Sequence, residues 1–173
     1  QKDDKSKNNS KIDMKSTPES LMAYIDESAV DLFENLEIFS SAELHARCQV
    51  DMQSYTSKIQ IESRTLGDMS LNHIIPTAIK YQNILIENVQ GIKEIFGTNF
   101  KTHANEQLTI LENISEHIKQ INKGVADMLL ARKKANTIDD INKKALAYAK
   151  TVAPFLNQIR YPVSYTHLRA HET

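Results

Sequence analysis

Residues 105–128 read NEQLTILENISEHIKQINKGVADM, and within them Leu108, Leu111, Ile114, Ile118, Ile121, Val125 and Met128 advance by 3, 3, 4, 3, 4 and 3. Side chains spaced in this way fall on one stripe of an α-helix, close to the seven-residue repeat of a coiled-coil seam. The pattern predicts a helix over about 102–135 that lies against other helices rather than in water. Gly124 weakens such a helix by roughly 1 kcal/mol relative to Ala, and its missing side chain leaves room for a close neighbour. Upstream, Ser40-Ser41-Ala42-Glu43 fits the capping box, in which serine and glutamate satisfy each other's backbone donors. Gly97 supplies the left-handed residue wanted past a helix C-terminus. The 56 residues between, 41–96, would form a rod of about 84 Å at about 1.5 Å per residue.

Its apolar positions again step by three and four. They are Leu44, Cys48, Met52, Tyr55 and Ile59, then after a break at Glu62 Leu66 and Met69, then Ile74, Ala78, Tyr81, Leu85, Val89, Ile92 and Phe96. Pro76 interrupts this rod, removing a backbone donor and crowding the preceding turn, so a kink near residues 73–76 is expected, with two shorter helices as the alternative. Downstream, Thr137 and Asp140 restart the chain as a helix with the stripe Ile141, Ala145, Tyr148, Val152, Phe155 and Ile159, bent at Pro154. Short connections at 97–101 and 136–137 make the long helices antiparallel neighbours. Ser16-Thr17-Pro18-Glu19 opens a short helix carrying Leu21, Met22 and Ile25, since a hydroxyl cap, a proline in the first turn and an acid at the positive dipole end all favour a start there. A second short helix follows Asp26, with Ala29, Val30, Phe33 and Leu36 on one face. The expectation is an all-α protein: an elongated antiparallel bundle, or coiled-coil-like hairpin of long helices, with short helices at its N-terminal end.

Composition agrees and narrows the function. Four glycines, four prolines and no Trp in 173 residues leave little material for the turns and strands of a sheet protein. The 21 Lys and Arg offset 22 Asp and Glu, so no net field draws in a polyanion, and neither nucleic acid nor a membrane surface is an expected partner. No apolar run approaches the roughly 20 residues of a membrane span, and no secretory leader is seen. The single cysteine, Cys48, excludes an intramolecular disulfide and paired-thiolate zinc sites. The chain starts at Gln1, which suggests a piece of a longer protein.

The two ends differ from the middle. Residues 1–11 carry no apolar side chain, so 1–15 are expected to be a flexible lead-in to a domain spanning 16–161. Residues 162–173, PVSYTHLRAHET, break the helical pattern. There His167 and His171 stand four apart beside Glu172, a spacing that brings two imidazoles to one face of a helix. However, VSYTHLRAHET resembles a one-frame translation of a widely used transposase-type sequencing-library adapter. On that reading the tail is non-native, the histidine pair has no role, and His45, His73, His103 and His117 remain.

Elsewhere the chemistry-bearing residues read as structural. No acid has His three residues later, so the di-metal carboxylate bundle pattern is missing. His73, in an apolar run, reads as a hydrogen-bonded histidine near a kink. Cys48 lies on the seam as a small buried hydrophobe, with His45 and Arg47 pointing elsewhere. Arg132-Lys133-Lys134 complements the negative end of a helix dipole. There is no phosphate loop, G-x-S-x-G or H-E-x-x-H. No residue is therefore assigned a catalytic, cofactor-binding or metal-binding role.

Longer runs carry more specific information. LGDMSLNHIIPTAIKYQN at 66–83, LIENV at 85–89 and GIKEIFG at 91–97 resemble the C-terminal helical region of type III glutamine synthetase. KSTPESL at 15–21, AELHAR at 42–47, ARKKAN at 131–136 and IRY at 159–161 agree in order, so the likeness covers about 12–161. Cys48 and Gln49 depart from it, standing where the family more often has an aromatic and an acidic residue. The resemblance implies a cytoplasmic, ring-forming parent enzyme that makes glutamine from glutamate, ammonia and ATP with Mg or Mn. Its catalytic domain would lie upstream, with the long hairpin bracing or connecting subunits. The fragment's partners would be that domain and the other subunits, and the fragment alone would hold no cofactor. Two rival readings are a free-standing coiled-coil adaptor that binds a partner helix, and a metal enzyme built on His167 and His171.

Overall fold

The computed structural model describes residues 16–171, with side chains described to Ser164. Residues 1–15, read above as a lead-in, lie outside the described residues. Every element among those described is helical. Two short helices, α1 (Thr17–Met22) and α2 (Glu27–Asn35), precede α3 (Ser41–Met69) and α4 (Ile75–Phe96). A small α5 (Phe100–His103) turns the chain into α6 (Asn105–Asn136), and α7 (Ile141–Ala147) leads to α8 (Ala153–His171).

The capping box at the start of α3 is formed. The Ser40 backbone N–H donates to Glu43 Oε2 at 2.9 Å, and the Glu43 N–H donates to Ser40 Oγ at 3.4 Å. At α1 the expected hydroxyl cap is absent. Ser16 caps by position only, and its Oγ is enclosed with no partner.

Pro76 neither splits the rod nor ends it. Residues Ser70–Ile74 form one π-helical turn between α3 and α4, so the helix runs on with a widened turn just before the proline. The same device recurs at Tyr148–Val152, joining α7 to α8 just before Pro154. The break expected at Pro162 is not formed either, because α8 continues through it to His171. Ile159 and Val163 on either side pack into the core and hold the helix across the lost donor. At the far end Gly97 takes φ 57° and ψ −126°, a conformation suited to glycine, and the chain reverses into α6. There the Phe96 and His103 rings stack with centroids 4.0 Å apart.

The core lies along the predicted seams. Ile114, Ile121, Val125 and Met128 of α6 are buried, as are Ala145, Tyr148, Val152 and Ile159 of the last helices. One cluster joins Ile121, Val125, Met128, Tyr148, Val152 and Ile159 to Ile59, Ile74 and Ile75. A second places Leu21 and Ile25 against Cys48, Met52 and Ala145, which is how the short N-terminal helices dock. A third holds Ala78 and Leu85 against Ile114 in the outer hairpin.

One part of the seam differs from expectation. Met69 is 48% exposed, and the stripe does not break at Glu62. It passes instead through the small buried residues Thr56, Ser63, Gly67 and Ser70. A Cβ placed on Gly67 would lie 3.6 Å from Val125 Cγ1 and 3.7 Å from Met128 Cε, so larger side chains are excluded where α6 crosses α3. The hydroxyls of Thr56 and Ser63 bond back to their own helix, at Met52 O (2.9 Å) and Gln60 O (3.0 Å), which lowers the cost of burying them. Gly124 behaves as its sequence position suggests, since a Cβ there would stand 2.9 Å from Ile159 Cγ1.

Candidate functional site

The residues weighed for chemistry fall apart in space. Cys48 is buried beside α1, where its thiol donates to the Leu21 carbonyl oxygen at 3.4 Å. Burial, helped by the Asp51 carboxylate, pushes its pKa up, away from the thiolate a nucleophile needs. His73 is exposed on the π turn, and its backbone oxygen accepts from Thr77 Oγ at 2.8 Å. His45 is exposed, with Nδ1 2.8 Å from Ser41 O. Lys133 and Lys134 are exposed in the last turn of α6, while Arg132 is half-buried with one guanidinium nitrogen enclosed and no acceptor on it. His167 and His171 fall on the end of α8, and their side chains lie outside those described.

Among the described residues no three His, Cys, Asp or Glu side chains come together in a way that suits a metal ion. Their donor set does not fit the divalent cation implied for the parent enzyme. No helix among them is long and apolar enough to cross a membrane.

What the sequence pattern brings together is a lock between helices. Tyr148 is fully buried, and its hydroxyl donates to Asn136 Oδ1 at 2.7 Å. Gln60 Nε2 donates both to Asn136 Oδ1 (2.9 Å) and to the Tyr148 hydroxyl (3.0 Å). Three side chains from α3, the end of α6 and the second π turn thus share one polar knot at the edge of the core, with Asn136 exposed, Gln60 half-buried and only Tyr148 fully enclosed. The two bonds to the buried Tyr148 hydroxyl contribute net about 1 kcal/mol each, and the exposed Gln60–Asn136 bond less, because water competes for it. Tyr148 was legible as a stripe residue, but its polar partners, 88 and 12 positions away, carried no sequence signal.

Two open surfaces flank this interior. At the start of α3, Glu34, Glu37 and Glu43 surround Ile38 and Phe39 in a shallow cleft. The Ser40 backbone N–H and hydroxyl hold the Glu43 carboxyl below its usual pKa, with a smaller contribution from Arg47. Between α3 and α8 lies a wider trough floored by Leu66 and Leu156.

Fold and surfaces together define a rod-like, all-helical module whose long helices pack along continuous seams. The family profile described as the glutamine synthetase C-terminal domain matches residues 7–93. The chain belongs to that family. It is 39% identical over 152 residues to a glutamine synthetase of Bacteroides fragilis (strain YCH46), an alignment covering 87% of this chain and 21% of that protein. It is also 24% identical over 146 residues to the type-3 glutamine synthetase of Dictyostelium discoideum, covering 84% of this chain and 20% of the relative. A glutamine synthetase of Butyrivibrio fibrisolvens is 21% identical over 147 residues, covering 85% and 21%. The chain therefore spans about a fifth of the length of each of these relatives. The resemblance carried by residues 66–97 is borne out, and the matches favour it over a free-standing adaptor.

Proposed function

We propose that this chain is the C-terminal helical part of a type III glutamine synthetase and that its long hairpin braces or connects subunits of a homo-oligomeric ring. In this reading the parent enzyme forms glutamine from glutamate, ammonia and ATP, with Mg or Mn, in the cytoplasm. The reacting groups belong to an upstream catalytic domain. The chain's partners are that domain and the other subunits, with neither nucleic acid nor membrane among them. Residues 162–173 are taken as non-native in sequence, which resequencing the gene past the codon for Tyr161 tests directly.

The observation that carries the reading is a likeness to glutamine synthetases along 87% of the chain, laid on a rod whose buried seam runs from Leu44 to Leu85. An unbroken rod packed against α6 along most of its length suits a brace, because it holds its ends at a fixed separation. The test joins the chain to the upstream part of its own reading frame and measures ATP-dependent glutamine formation together with the mass of the assembly. Deleting residues 40–160 from that protein is expected to lower the assembled mass and the activity. Unchanged mass and activity after the deletion would refute the bracing role.

A further inference from the structure

We propose that the π turn at Ser70–Ile74 is a one-residue phasing insert, demanded by packing and not by Pro76, that sets which face of α4 meets α6. From Leu44 to Leu85 twelve buried or half-buried residues follow one another at steps of three or four, so that eleven steps consume 41 residues. An ideal α-helix makes eleven turns in about 40 residues, and over 41 its stripe would wander by about 140° round the axis. Such a stripe would swing away from α6 before reaching Leu85. One widened turn takes up about 90° of this drift, because a π-helix bonds residue i to i+5 and advances by a smaller angle per residue. Here the Ile75 N–H donates back to the Ser70 carbonyl oxygen, and Ala78 and Leu85 arrive against Ile114.

An unbroken α-helix over the same residues would be costly. It would turn α4 by about 90°, and each place in the seam would pass to the residue before. His73 would stand in for Ile74, Thr77 for Ala78, Lys80 for Tyr81 and Ile84 for Leu85. A lysine would be pressed into the seam, where burial of its charge is penalised. As the helix stands, His73 and Lys80 are exposed, and Ile84 is 60% exposed beside Leu85 at 8%. A proline asks only that the carbonyl of the preceding turn move aside, which a kink achieves without an added residue. The excess length belongs to the seam. The insert therefore aims the outer hairpin, keeping Ile79, Ile86 and Ile95 on its open side. This device stands independently of the bracing role.

The test places a cysteine at 84 or 85 in the full 173-residue chain carrying Cys48→Ala and measures its rate of reaction with iodoacetamide, with thermal unfolding followed by circular dichroism. Ile84→Cys is expected to react about tenfold or more faster than Leu85→Cys, because access limits the buried thiol. Pro76→Ala leaves that order unchanged, since the seam still needs its extra residue. Deleting Asn72, an exposed residue of the π turn, straightens the helix and also keeps the order, with a melting temperature within about 5 °C of the starting chain. Deleting Arg64, exposed on α3, removes a residue where none is in excess and is expected to lower the melting temperature by about 10 °C or more, or to prevent folding. Reversal of the order by Pro76→Ala would make the proline the source of the turn and overturn the proposal. Reversal on deleting Asn72, or a loss of stability there as large as that from deleting Arg64, overturns it too, as does equal reactivity of the two cysteines in the starting chain.

Discussion

Gly67 and Gly124 both lie where helices cross, yet a methyl group added at each meets different surroundings. At Gly124 it would come within 2.9 Å of Ile159 Cγ1, and Ile159 is itself buried with little freedom to retreat. Gly124→Ala is therefore expected to lower stability by about 1–2 kcal/mol, because overpacking outweighs the gain in helix propensity of about 1 kcal/mol. At Gly67 the nearest atoms stand at 3.6 and 3.7 Å, ordinary contact distances. Gly67→Ala is thus expected to be neutral or to stabilise by up to about 1 kcal/mol. Urea unfolding of the two variants checks both signs, and equal shifts would contradict the account. Gly124 was legible because a glycine inside a clean heptad invites the question of what approaches it. The run Ser63, Gly67, Ser70 was not, because a reading by hydrophobicity treats small polar residues as gaps, although close approach of two helices demands them.

Caps and prolines decide where the helices begin and how they continue. The Ser40–Glu43 box was readable from four letters because both of its bonds are local. Its pH dependence follows from the depressed Glu43 pKa. The folded chain binds that proton less readily than the unfolded one, so the stabilisation is present above the ordinary glutamate value of 4.5 and is lost as pH falls through the lowered folded value. Glu43→Ala is expected to lower the melting temperature by a few degrees at neutral pH, with the gap closing as the solution is acidified below the ordinary glutamate value and through the lowered folded one. A gap that persists undiminished through that range would show that the carboxylate is not its source. The prolines were only half legible. Pro76 and Pro154 announced disturbed helices, but the choice among kink, break and π turn depends on flanking residues. Ile74, Ile75 and Val152 are locked in the same core cluster, and this packing keeps the helix running past the missing donor.

For the molecule as a whole, the all-helical class, the antiparallel order and most of the core could be read from period and connection length, since both are properties of the linear chain. The surfaces could not, because the α3–α8 trough joins residues about a hundred positions apart and its floor is set by tertiary packing. The segments of 29, 5 and 22 residues from Ser41 to Phe96 make one rod, about 84 Å long at about 1.5 Å per residue. Small-angle scattering at dilutions where the chain is monomeric is expected to give a maximum dimension of at least about 80 Å. The radius of gyration should lie well above the about 16 Å of a compact chain of this length. A value near that compact figure would contradict the architecture. Because the widened turn at Ser70–Ile74 leaves this rod unbroken, it works as a stiff lever. A small tilt imposed where α1 and α2 grip its lower part would be magnified into a sweep of several ångströms at the Gly97 tip, so neighbours seated at the two ends would feel each other's movements without touching.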